Sequence, residues 1–187
     1  MKAVVVDNGG QWTHREWRVL RDLGVDAQII PNTTPLKEIT ADCIVLSGGA
    51  PRISSDALKL GRTAEYLDNA EIPILGICVG CQFIAIHFGG EAGPALLPEF
   101  GKTTIEIVEE NDLFKGCPKE FQVWESHNDE VKKLPEGFTA LASSDNCHIQ
   151  AFKNDEKPIY GVQFHPEVEH TQHGYDIFKN FLSLVKE

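Results

Sequence analysis

The sequence predicts an α/β fold: a three-layer open sheet, mostly parallel in its core, with antiparallel strands in the C-terminal half. Short apolar runs at about 2–7, 25–30, 42–47 and 72–76 alternate with helix-like segments at about 11–23 and 56–69, and a further helical segment follows Cys78. That alternation is the pattern of parallel βαβ units. The ends of three of these runs are polar or rich in glycine: Asp7-Asn8-Gly9-Gly10, Ser47-Gly48-Gly49 and Gly76-Ile77-Cys78. Ligands of open α/β sheets gather at the carboxyl ends of the strands, so the three are expected to converge on one cleft.

The second half reads differently. Lys102–Val108, Phe121–Glu125, Phe138–Ala142, Ile149–Phe152 and Ile159–Gln163 are short apolar or alternating runs separated by Gly, Pro, Asn and Asp. They predict mostly antiparallel strands. Ile177, Phe178, Phe181, Leu182 and Val185 recur at helical spacing and predict a last helix over about 170–185. Gly89–Gly101 reads as the most loop-like segment. Neither an internal repeat nor a low-complexity stretch interrupts the chain, and residues 1–187 are expected to form a single domain.

Composition narrows the function classes. Of the 187 residues, 42% are hydrophobic and 24% charged, which suits a packed core. A net charge of −11 without a Lys/Arg cluster disfavours nucleic acid and anionic lipid as partners. Apolar runs fall short of the eighteen or so residues of a membrane span, and Lys2–Asp7 is too short for a signal peptide. A cytoplasmic protein is expected. The odd count of five cysteines argues against a disulfide framework. Cys43 lies in an apolar run and reads as core, whereas Cys117 and Cys147 stand in polar segments with no partner pattern.

Residues Gly76-Ile77-Cys78-Val79-Gly80-Cys81-Gln82 follow the strand-like Ile72–Leu75 and precede an apolar-periodic segment ending near Phe88. A cysteine on such a strand–turn–helix has an exposed sulfur at the first helical turn, where unpaired amides and the dipole favour an anion. That setting lowers a thiol pKa from about 8.5, and the thiolate is the nucleophile. Gly76 and Gly80 permit the tight turn. Taken alone, Cys78 is equally readable as a small buried hydrophobe, and Cys78-Val79-Gly80-Cys81 as a redox C-x-x-C.

Far downstream stands Gly161-Val162-Gln163-Phe164-His165-Pro166-Glu167. Pro166 biases His165 toward an extended conformation, and residues i and i+2 of an extended segment share a face. Glu167 can then accept from one ring nitrogen of His165 and leave the other for Cys78, which makes a Cys–His–Glu nucleophilic site. Standing alone, His-Pro-Glu is also a plausible solvated turn. A metal reading with Glu167, His170 and His173 lacks a firm ligand set. The glycines of Ser47-Gly48-Gly49 would let backbone N–H groups face a developing oxyanion. A phosphate loop is excluded there because no Gly-Lys-Ser/Thr follows.

With these residues laid out, the chain resembles the class I (triad) glutamine amidotransferases over nearly its whole length. The pattern Gly-[Ile/Val]-Cys-x-Gly-x-Gln is matched by Gly76–Gln82, and Gly-Val-Gln-Phe-His-Pro-Glu by Gly161–Glu167. Asp7-Asn8-Gly9-Gly10-Gln11, Trp124–Val131 and Glu167–Thr171 place it nearest the branch of separate glutaminase subunits of archaeal-type GMP synthetase. The resemblance implies a flavodoxin-like fold and glutamine as substrate, with Cys78, His165 and Glu167 catalytic. It implies an oxyanion hole from the Gly49 and Val79 N–H groups, and a glutamine pocket lined by Gln82, Trp124, Ser126 and Asp129, the last pairing the substrate ammonium. It implies no cofactor or metal in this chain; ATP and Mg²⁺ are expected on a separate ATP-pyrophosphatase GMP synthetase subunit, joined as a heterodimer or higher complex. His127 is left open between a substrate-facing role and one at the subunit interface. Two positions depart from the family pattern: Cys81 replaces the usual histidine or methionine, and Ala50 stands where proline commonly follows the glycines. An amidotransferase component of another synthase, of anthranilate type, or a stand-alone γ-glutamyl hydrolase remains the alternative.

Overall fold

The computed structural model describes residues 1–186. Among these residues nine strands join one sheet, in the order β2-β1-β3-β4-β9-β8-β7-β5-β6. The parallel part comprises β1 (Lys2–Asp7), β2 (Asp26–Pro31), β3 (Cys43–Leu46), β4 (Ile74–Ile77) and β9 (Ile159–Val162). The spatial order 2-1-3-4-9 is the flavodoxin-like arrangement, with β9 in the place of the fifth strand. β3, β4 and β9 are buried along their whole length, as strands covered on both faces must be, and this is why they read as continuous apolar runs. The antiparallel part adds β5 (Glu91–Ile107), β6 (Glu120–Lys133), β7 (Phe138–Ser143) and β8 (Ala151–Asn154).

Helices cover both faces. On one, α1 (Thr13–Asp22) and α5 (Gly174–Leu182) bring Val19, Leu20, Ile177, Phe178 and Phe181 against Val5, Val45 and Leu75. On the other, α3 (Thr63–Asn69) and α4 (Val79–His87) bring Tyr66, Leu67, Cys81, Ile84 and Ala85 against Val4, Val6, Ile44 and Leu46. Alternate residues of β1 and β3 thus serve opposite cores, as a two-residue side-chain period requires.

Two expectations are corrected. The helix read over 56–69 is broken into α2 (Ile53–Asp56), a 3₁₀ turn at Ala57–Leu60 and α3, because Gly61 turns the chain with φ 58°. Of Gly89–Gly101, read as a loop, the part from Glu91 onward forms the first half of β5. Ala92, Gly93 and Pro94 pair with Val131, Glu130 and Asp129, and after a shift in register Glu99 pairs with His127. Proline and glycine are tolerated in a strand at such an irregularity. Among the described residues no helix is long and apolar enough to cross a membrane.

Candidate active site

The carboxyl ends of β1, β3, β4 and β9 open onto one cleft of about 330 Å³. Asn8, just past β1, holds the first two ends together: its N–H donates to Ser47 Oγ over 2.9 Å and its Nδ2 to the Ser47 carbonyl over 3.0 Å. Cys78 stands at the tip between β4 and α4 with φ 51°. A non-glycine residue held there is a strained elbow that projects its side chain out of the sheet. The elbow closes because its neighbours lack side chains. A Cβ on Gly76 would come within 2.5 Å of Ile84 Cδ1 and 2.7 Å of the Gly80 carbonyl carbon, and one on Gly80 within 2.6 Å of the Leu46 oxygen.

His165 follows β9 and lines the cleft together with Cys78, the two side chains meeting beside Gly48. Its Nδ1 donates to Glu167 Oε1 over 2.6 Å, which leaves Nε2 for the sulfur. The loop is fixed from behind. The His165 N–H donates to the Trp124 carbonyl (2.9 Å), the Thr171 hydroxyl donates to the His165 carbonyl (2.7 Å), and the same hydroxyl oxygen accepts from Trp124 N–H (2.9 Å). Burial opposes charge on the imidazole, but the Glu167 carboxylate first and Cys78 after it prevail and push its pKa well above the ordinary value. Gly48 occupies the crevice beside the pair; a Cβ on it would lie 3.0 Å from His165 Cε1 and 3.6 Å from Cys78 Cβ.

Gly49 and Val79 both border the cleft. The Val79 N–H opens α4, where amides have no intrahelical acceptor. Gly49 cannot carry a side chain, because a Cβ would run into the Asn8 carbonyl. Ala50 and Pro51 continue along the wall, so the alanine departure leaves the glycines at the cleft.

Gln82, Ser126 and Asp129 also border the cleft. Gln82 is a buried brace: its Nε2 donates to the Asp129 carbonyl (2.6 Å) and to Gln163 Oε1 (3.1 Å). The Ser126 carbonyl accepts from the Cys78 thiol at 3.8 Å. The Asp129 carboxylate is already engaged by the Arg52 guanidinium and by the Ser54 N–H (3.2 Å) and hydroxyl (2.9 Å). Burial raises its pKa, yet these donors outweigh burial and hold it below the usual carboxylate range. The structure does not bring Trp124 to the cleft. Its ring lies against His170, with centroids 4.7 Å apart, outside the lining.

Cys81 points away from Cys78 into the core beneath α4, fully buried, and burial first of all pushes its thiol pKa well above the ordinary value. Both are free thiols, so the redox reading of the C-x-x-C finds no support. The metal trio of the sequence reading does not gather either: Glu167 holds His165, His170 lies on Trp124, and His173 pairs with Asp176.

Sequence reasoning missed three contributors. Trp12 packs edge-on against His165, with ring centroids 4.6 Å apart. Glu16, 1% exposed, lines the cleft and accepts the Gly48 N–H (3.2 Å). The third is a buried cluster of Glu99, Glu125 and His127, whose ligand-type atoms lie within 4.8 Å of one another. His127 Nε2 lies 3.0 Å from Glu99 Oε2 and 3.3 Å from Glu125 Oε2, and Nδ1 donates to the Asp129 carbonyl over 3.0 Å. Burial resists its charge, but the two carboxylates raise its pKa to about 10. An imidazolium that donates from both nitrogens has no lone pair for a cation, so the cluster is a buried ion triad on β5 and β6, with His127 at the cleft wall. His127 thus borders the cleft while both its ring nitrogens are engaged within the protein. A phase signal was present for both acids: Glu16 falls on the buried stripe of Thr13, Val19 and Leu20, and Glu125 on the inward alternation of Phe121, Val123 and His127.

Comparison with known proteins agrees with this geometry. The family glutamine amidotransferase class-I matches residues 4–185. A Thermoplasma acidophilum protein named as one subunit of glutamine-hydrolyzing GMP synthase is 55% identical over 98% of this chain and 92% of its own length. The protein of the same name from Pyrococcus furiosus is 53% identical over 98% of each chain. A crystal structure of a Thermoplasma acidophilum protein described as a GMP synthase subunit superposes with a TM-score of 0.94 at 55% identity, covering 99% of this chain and 94% of that one. A Thermotoga maritima glutamine amidotransferase structure, 22% identical with a TM-score of 0.77 over 98% of this chain and 81% of that one, shares the fold.

Proposed function

The chain belongs to the class I glutamine amidotransferases, and we propose that it is the glutamine-hydrolysing subunit of a two-subunit GMP synthase. The observation that carries this reading is the line Cys78–His165–Glu167 at the base of the cleft, in a chain more than half identical to relatives named for such a synthase.

The Cys78 thiolate attacks the γ-carboxamide carbon of glutamine. The oxygen, now negative, is received by the N–H groups of Gly49 and Val79. His165, charged and held by Glu167, gives its Nε2 proton to the departing nitrogen, which leaves as ammonia. The γ-thioester on Cys78 is then cleaved by water, whose proton returns to His165, releasing glutamate and restoring the thiolate. Gln82, Ser126 and Asp129 are proposed to orient the amino acid.

Relatives named as one subunit of the synthase, not as the whole of it, support a separate partner. We assign ATP and Mg²⁺ to that partner, an ATP-pyrophosphatase synthetase that uses the ammonia to convert XMP to GMP, and we place the complex in the cytoplasm. The test mixes the chain with that synthetase, XMP, ATP and Mg²⁺. Glutamine is expected to support GMP formation, and Cys78→Ala to abolish it while added ammonia still does. Glutamate release unaffected by the synthetase, with no glutamine-dependent GMP, would overturn the reading.

A further inference from the structure

Two buried carboxyl groups at the cleft each have one oxygen with no partner: Glu16 Oε2 and Glu167 Oε2. Their other oxygens are committed, Glu16 Oε1 to the Gly48 N–H (3.2 Å) and Glu167 Oε1 to His165 Nδ1 (2.6 Å). Both residues border the same cleft and are at most 5% exposed. Orphaned buried polar atoms in a native structure call for an explanation, and one proton answers for both. We propose that Glu16 is a positioning residue held as the neutral acid, whose O–H satisfies Glu167 while its carbonyl oxygen pins Gly48 of the oxyanion loop. The proposal rests on the amidotransferase reading only for its consequence in catalysis.

The electrostatics agree. Burial comes first in raising the Glu16 pKa well above the carboxylate range, and the Glu167 charge comes second; the Gly48 amide and His165 pull the other way, and Cys78 adds to the rise. The titratable groups acting on Glu16 are therefore Glu167 and His165, from the loop after β9, and Cys78 at the elbow. Two carboxyls that repel each other in a dry site relieve the strain by sharing one proton. The arrangement couples the triad to the oxyanion hole. With that proton in place, Glu16 would join the residue that orients His165 to the Gly48–Gly49 peptide, so that one shared proton would place both the proton acceptor and the oxyanion donor.

The test uses the assembled two-subunit complex and the variants Glu16→Leu and Glu16→Gln. Leucine removes both bonds, whereas glutamine can donate to Glu167 and accept from Gly48. Glu16→Leu is expected to lower kcat for glutamate release at least about tenfold, with KM for glutamine changed less than about twofold. Glu16→Gln is expected to recover most of that loss. Because glutamine copies the charge of the neutral acid, the acid limb of its pH–rate profile should overlay the wild type. Were Glu16 ionised, removing its charge would lower the His165 pKa and displace that limb by about a unit; such a displacement, or no recovery by glutamine, overturns the proposal. An infrared measurement reads the proton without catalysis. A protonated-carboxyl band in the wild type that vanishes in Glu16→Gln supports the assignment even if glutaminase activity is absent, and its absence from the wild type refutes it. Loss of the activity together with retention of the band would refute the amidotransferase reading alone.

Discussion

The carbonyl oxygen of Leu46 lies 2.6 Å from where a Cβ on Gly80 would stand, so the end of β3 and the first turn of α4 meet backbone to backbone. Nothing flexible at that contact can give way. Gly80→Ala is expected to push α4 off β3, to destabilise the fold by about 1–3 kcal/mol as overpacking does, and to slow alkylation of Cys78 by displacing the elbow. Gly93→Ala is the control: no atom lies within 4 Å of its Cβ position, and a change within about 0.5 kcal/mol is expected. Urea unfolding and iodoacetamide labelling measure both effects. Equal stability and labelling in the two variants would remove the steric account of the motif's second glycine.

The members of the Cys78 line are expected to fail unequally. Cys78→Ala removes the nucleophile and His165→Ala the proton carrier, so each should lower kcat for glutamate release by about 10⁴-fold or more. Glu167→Gln keeps a side chain beside His165 Nδ1 but no longer stabilises the imidazolium, and a loss of about 10³- to 10⁴-fold is expected. Steady-state assays with the synthetase present decide it; near-wild-type turnover in His165→Ala would leave the proton transfer without a carrier.

The legible parts of this protein are those whose signal is local. A buried parallel strand is a continuous apolar run, so β1, β3 and β4 stand out, and the elbow stands out because glycine must flank Cys78 where a Cβ would strike backbone. The first half of β5 was hidden because Gly93, Pro94 and Pro98 carry the marks of a loop, while the pairing that makes it a strand comes from β6, some thirty residues later. The place of the Trp124 ring is likewise set by residues distant in sequence. Its motif fixes the strand, but the ring lies against His170 of the loop after β9 and does not line the cleft. Glu16 and Glu125 are hard to read because a glutamate on an amphipathic element reads as the solvated face; only its phase against the apolar stripe marks it as buried.

Asp129 gives a test of how the amino acid is held. Its carboxylate already accepts from Arg52 and Ser54, and a carboxylate offers about four lone-pair sites, so a substrate ammonium can join only by sharing or by displacing Arg52. Asp129→Asn should therefore raise KM for glutamine by about tenfold or more while changing kcat far less, as the loss of a charge-assisted contact does. Arg52→Ala should alter KM less than Asp129→Asn if the two cations compete for the carboxylate. A kcat defect at unchanged KM in Asp129→Asn would assign the residue to holding β6 instead.

The ion triad under β6 predicts how stability depends on pH. His127 is raised from an ordinary value near 6.5 to about 10, so the folded state holds a proton that the unfolded chain releases. Its stabilisation is complete below about pH 6.5 and is lost as pH rises toward 10, at a slope approaching about 1.4 kcal/mol per pH unit for the single proton. His165 is displaced in the same direction. Above about pH 8.5, where unfolded thiols ionise, burial of Cys43, pushed up to about 12, and of Cys117, up to about 11, adds to the same loss. Unfolding free energy should therefore fall steadily from pH 7 to 10. His127→Gln leaves Glu99 and Glu125 buried without their cation, a defect of about 3–5 kcal/mol, and it should flatten the slope between pH 7 and 8, before the thiols contribute. Chemical denaturation across that range measures both quantities. An unchanged slope in the variant would mean that His127 is neutral in the folded protein, and the triad would then be a hydrogen-bonded cluster without its central charge.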